Sequence, residues 1–153
     1  MYRFVVACGL LVVGAAPVSY AQNINADPNF TTVSLSGGFT PEPYVTSVVS
    51  GGGIDASNLG NGCGGSISNA PDVRLNFSAG SLPLIISANS ANDTTLVVNA
   101  PDGQWYCDDD SGNGLNPSVR FNKVQSGRYE IWLGTYGSGN HSATLSISEI
   151  HSE

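Results

Sequence analysis

The chain has 153 residues, five Lys and Arg against twelve Asp and Glu, and a formal charge of −7. So few basic residues leave no cationic face for nucleic acid or anionic lipid. Charged residues make up only 11% and glycine alone contributes 19 positions, a composition suited to short strands and turns rather than long surface helices.

Residues 1–21 read as a secretory signal peptide. Arg3 precedes an apolar run, and the small residues Ser19 and Ala21 form a cleavage site of the A-x-A kind. The run is short beside the ~20 apolar residues of a membrane span, so no stable membrane insertion is expected once it is removed. Cleavage between Ala21 and Gln22 leaves residues 22–153 as a single domain, secreted or periplasmic. Loss of Arg3 takes the charge from −7 to −8. Cys8 leaves with the signal, and Cys63 and Cys107 remain. An even pair in an exported protein implies a disulfide. His141 and His151 do not stand at zinc-ligand spacing from either cysteine.

The polar start QNINADPN (22–29) is expected to fray. FTTVSLS (30–36) alternates as a first strand, and YVTSVVS (44–50) follows a proline-containing turn. Residues 54–72 are loop-rich, with at most a short strand around Ser66 to Ser68. VRLNFSA alternates Val73, Leu75 and Phe77 against Arg74 and Asn76. LPLIISA (82–88) is continuously apolar, the pattern of a strand buried on both faces. TTLVVNA (94–100), the turn PDG and QWYC (104–107) form a hairpin. SVRFN (118–122) is short; RYEIWLGTY sets Tyr129, Ile131 and Leu133 against Glu130 and Trp132. SATLSISEI alternates Ala143, Leu145 and Ile147. No segment sustains helical spacing. About eight strands at this regularity predict an all-β, antiparallel, jelly-roll-like sandwich.

No catalytic set emerges. Ser111 lies in DDSGNG, but the residues around it depart from a serine-protease motif, and both histidines follow it in the chain. His141 and His151 fall in a turn and near the end of the chain. The acidic run Asp108, Asp109 and Asp110 is the chemical feature of the sequence. Three adjacent carboxylates repel, and Gly112 and Gly114 let the chain bend around them while Asn113 adds an amide oxygen. Oxygen ligands on a bent backbone suit Ca2+. If the strand continued past Cys107, Asp108 and Asp110 would share one face and Asp109 the other. Equal strand lengths place Asp93 level with the acidic loop and Asp102 at the far tip. The spacing is not that of an EF-hand, because Val119 stands where the bidentate Glu is required. The alternative is a solvated turn whose carboxylates accept loop amides. A carbohydrate-binding surface would need exposed aromatics, for which Tyr44, Trp105, Tyr106, Tyr129, Trp132 and Tyr136 are the candidates; their strand positions also suit a core.

Asp93, the turn Pro101 to Gly103, the run Asp108 to Asp110 and the strand Gly127 to Leu133 together resemble the bacterial pre-peptidase C-terminal domain family. The likeness is good over about the last 85 residues and loose before them. It implies a non-catalytic β-sandwich that often binds Ca2+, here through Asp93, Asp108, Asp109, Asp110 and Asn113. The roles it implies are substrate adhesion, folding and secretion, and the expected partner is a protein or glycan. The family's domains usually accompany a protease, and this chain contains none.

Overall fold

The computed structural model describes residues 22–60 and 62–153, so the predicted signal peptide lies outside the described residues. The described chain forms eleven strands in two facing sheets, with one short 3-10 turn, Ala56–Leu59. The strands are β1 Thr31–Ser36, β2 Tyr44–Ser50, β3 Ile54–Asp55, β4 Ser66–Ile67, β5 Val73–Ser78, β6 Leu84–Ser90, β7 Thr94–Asn99, β8 Trp105–Asp108, β9 Ser118–Phe121, β10 Gly127–Thr135 and β11 His141–Ser148. The count exceeds the expected eight mainly through β3 and β4, two residues each and too short to show alternation. Among the described residues no helix is long and apolar enough to cross a membrane.

One sheet runs β1, β5, β10, β7, β8, with β4 and β3 added at the end of β10. The other runs β2, β11, β6, β9. The sandwich is not wholly antiparallel as expected: β1 and β5 pair in parallel, from Thr31 with Val73 to Ser36 with Ser78. Between them the chain builds β2 in the other sheet and the short β3 and β4 of the first, before β5 runs alongside β1 in the same direction.

Alternation decides which side chains meet between the sheets. Val73, Leu75 and Phe77 of β5 face Leu84, Ile86, Leu145 and Ile147 of the second sheet in one continuous core. Tyr129, Ile131 and Leu133 of β10 join it. Each fully buried large aliphatic side chain contributes about 1.5–3 kcal/mol. The continuous apolar run at Leu84, Ile85 and Ile86 is buried throughout, as expected for a strand covered on both faces.

The outer face of the first sheet is also covered. Ile24, Ile54, Leu59 and Ile67 come from segments that lie across it, and they pack with Trp105, Trp132, Val97 and the two cysteines. The segment from residue 22, expected to fray, is instead held there. The Arg74 guanidinium donates to the carbonyls of Ile24 (3.3 Å) and Ala26 (2.7 Å), and Arg128 donates to Asn25 Oδ1 at 3.1 Å.

Asp72 ties this strap to the sheet. Its carboxylate accepts from Leu133 N at 2.8 Å and Asn29 Nδ2 at 2.9 Å while only 2% exposed. Burial pushes its carboxyl up from 3.8 to about 6, against the hydrogen bonds from Asn29, Leu133 and Ser68. A carboxyl raised on folding stabilises the fold in its protonated form. That contribution is whole below 3.8 and lost as pH rises through about 6. The stake is of the order of 3 kcal/mol. Urea unfolding across that window should show falling stability in the wild type and a flatter profile in Asp72→Asn. Parallel profiles would disprove the assignment.

Candidate metal centre

The β7–β8 hairpin brings the acidic residues to one end of the sandwich. Leu96 pairs with Asp108 and Asn99 with Trp105, so the PDG turn lies at the opposite end from Asp93 and the acidic run. That is the predicted hairpin geometry. Asp102 sits at the far tip and accepts from Gln104 N and the Tyr106 hydroxyl.

The acidic run divides by role. Strand β8 stops at Asp108, so the alternation extrapolated past it does not hold. The Asp108 carboxylate accepts from Ser111 N (2.9 Å), the Ser111 hydroxyl (2.6 Å) and Ser118 N (2.8 Å). It closes the loop on itself and fastens it to β9. Asp109 and Asp110 turn with the loop toward Asp93, which immediately precedes β7. One carboxylate oxygen from each of Asp93, Asp109 and Asp110 lies within 4.8 Å of the others.

These carboxylates are poorly compensated. Asp93 Oδ1 and Asp109 Oδ1 are buried and have no hydrogen-bond partner. The Asp109 carboxyl is pushed above its ordinary range, by burial first and then by the charges of Asp110, Asp93 and Asp108. Oxygens in this state are stabilised by a proton or a cation.

The rest of the loop is braced by residues without an acidic signature. Gly112 packs so closely that an added Cβ would stand 2.7 Å from Asn116 O and 2.9 Å from Glu153 O. The buried Asn116 donates from Nδ2 to Asn113 O at 2.8 Å and accepts from Ser90 N at 2.8 Å. Asn113 N donates to Glu153 O at 3.1 Å, and its own side chain is exposed. Sequence reasoning passed over Asn116; its place before Pro117 in a loop was the available cue. Cys107, directly before Asp108, is bonded to Cys63 as expected.

Ser111 spends its hydroxyl on Asp108. His141 Nε2 lies 3.1 Å from the Ser138 carbonyl oxygen, and among the described residues no histidine ring nitrogen is hydrogen-bonded to a serine hydroxyl. A surface depression of about 600 Å3 is lined by Ser47, Val49, Asn89, Thr144 and neighbours, with no ionisable side chain. Of the candidate aromatics, Tyr129 and Trp132 are buried, Tyr44, Trp105 and Tyr106 are half-buried against the two cores, and Tyr136 is exposed.

No protein-family profile matches the sequence, and no curated protein does. Among solved structures, the chain is similar to the pre-peptidase C-terminal domain of a collagenase from Bacillus anthracis. The identity is 15% and the TM-score 0.46, over 81% of this chain and 99% of that one.

Proposed function

We propose that this chain is an exported, non-catalytic β-sandwich that binds Ca2+ at its acidic loop and serves as a binding or adhesion module for a protein or glycan. One observation carries the cation: two buried carboxylate oxygens, on Asp93 and Asp109, lack partners within a trio of converging acids. A divalent ion offsets both the mutual repulsion and the missing hydrogen bonds. Asp93, Asp109 and Asp110 would hold it. Asn113 and loop carbonyls are the nearby neutral oxygens, and Asp108 supports the loop through Ser111 and Ser118 while adding charge beside the site. Ca2+ accepts six to eight oxygens and tolerates irregular geometry, which suits a loop donor set. The disulfide accords with export to an oxidising compartment.

Binding to the folded form alone adds RT ln(1 + [Ca2+]/Kd), about 2.7 kcal/mol at a hundredfold excess over Kd. The melting temperature should rise with Ca2+ and fall with chelator, well beyond the response to NaCl at equal ionic strength. Asp93→Asn and Asp110→Asn should each blunt the Ca2+ response, whereas Asp27→Asn should not. Because the Asp109 carboxyl is raised, affinity should fall as pH drops into the acid range. Calorimetry showing no binding at millimolar Ca2+, together with an unmoved melting point, would reject the site.

A further inference from the structure

The acidic loop also contains an asparagine placed to change its own charge. We propose that Asn113 is a deamidation site. The Gly114 backbone nitrogen, deprotonated, attacks Asn113 Cγ; the new C–N bond forms as ammonia leaves. Water then opens the resulting succinimide to aspartate or isoaspartate. Either product places a further carboxylate in the loop that carries Asp108, Asp109 and Asp110.

The surroundings favour the attack at this asparagine over its neighbours. The Asn113 side chain is exposed and makes no hydrogen bond among the described residues. Its successor is glycine, with a positive φ of 70° and nothing within 4 Å of where a Cβ would stand. No side chain on residue 114 therefore shields the nucleophile, while the backbone of Asn113 is held by Asn116 Nδ2 at its carbonyl (2.8 Å) and by Glu153 O at its N–H (3.1 Å). Asn116, three residues on, is the internal contrast. It is 9% exposed, its amide is engaged at both ends, and its successor Pro117 has no N–H to deprotonate. Asp102, also followed by glycine, has both carboxylate oxygens engaged by Gln104 and Tyr106. The chain's other Asn–Gly pair begins at Asn61, outside the described residues.

The consequence is electrostatic. Each event adds a negative charge to a loop whose acids already repel, so the loop's demand for a cation rises with the age of the molecule. This consequence rests on the cation reading; the deamidation itself does not.

The test incubates the full folded protein at mildly alkaline pH in chelator, followed by peptide mapping with isoaspartate detection. Aspartate and isoaspartate should accumulate at Asn113 at least about tenfold faster than at Asn116, with a matching acidic shift on isoelectric focusing. No conversion at Asn113, or a rate no faster than at Asn116, would overturn the proposal. Asn113→Gln, which cyclises far more slowly, should abolish that component of the acidic shift. Persistence of the full shift in that variant would also count against it. A second incubation in Ca2+ separates the two readings. A slower rate supports both the deamidation site and a cation that orders the loop. An unchanged rate supports the deamidation site and counts against Asn113 as a ligand.

Discussion

Reduction of the Cys63–Cys107 bridge is expected to lower stability by about 4 kcal/mol, from the chain entropy released when a closure spanning 44 positions is opened. The two cysteines lie in the outer cluster beside Trp105 and Trp132, so the bridge fastens the loop after the 3-10 turn to strand β8. Without it, the covering layer over the first sheet is held by short strands, side-chain packing and hydrogen bonds such as those from Arg74 to the Ile24 and Ala26 carbonyls and from Thr95 to the Gly64 carbonyl. Urea unfolding of the native protein and of Cys63→Ser/Cys107→Ser should show a lower midpoint for the variant. Tryptophan fluorescence is a suitable probe because both indoles sit at the bridge. The native protein should also show no alkylatable thiol at these positions before reduction. Equal midpoints would mean that the loop is ordered by its contacts alone. Since Cys107 leads directly into Asp108, the reduced protein should also respond less to Ca2+.

The second large effect lies at Glu130. Its side chain is 1% exposed; Oε1 accepts from Arg74 Nε at 2.6 Å and forms an ion pair with Arg128 Nε at 2.8 Å. Burial pushes the Glu130 carboxyl up even though both arginines oppose the shift. The desolvation of this charge is therefore not fully offset, and Oε2 has no hydrogen-bond partner. Such a cluster is costly to break and cheap to replace. Glu130→Leu should lose about 3–5 kcal/mol, because Arg74 is left nearly buried without its counter-charge. Replacing both members, Arg74→Met with Glu130→Leu, should cost much less than the single change. A double-mutant cycle reads this directly. If the double variant is as unstable as the sum of the singles, the two side chains act independently and the account fails. Hydrogen exchange should separately show residues 22–28 loosening in Arg74→Met, since its donors to the Ile24 and Ala26 carbonyls are gone.

Some of this was legible in the sequence because it depends on local periodicity or on parity. The period-two patterns of β5, β10 and β11 identified Leu75, Ile131 and Leu145 as core, since alternation fixes which face a residue takes once the strand exists. The PDG turn and the matched lengths of its flanking strands placed Asp93 level with the acidic run, because antiparallel pairing from a tight turn leaves little freedom of register. With Cys8 assigned to the predicted signal peptide, Cys63 and Cys107 were left as each other's partner, and the structure joins them. The tertiary structure decided what no window of sequence contains. Glu130 and Trp132 alternate outward, yet they are buried because the strap from residues 22–28 and the loop around Ala56 cover that face. The parallel pairing of β1 with β5 joins segments separated by β2, β3 and β4. Asp108, identical in chemistry to its two neighbours, is drawn to Ser111 and Ser118 because β9 arrives beside it, while Asp109 and Asp110 turn toward Asp93. The division among three adjacent aspartates is therefore set by which donors lie within hydrogen-bond reach: Ser111 of the same loop and Ser118 at the start of β9.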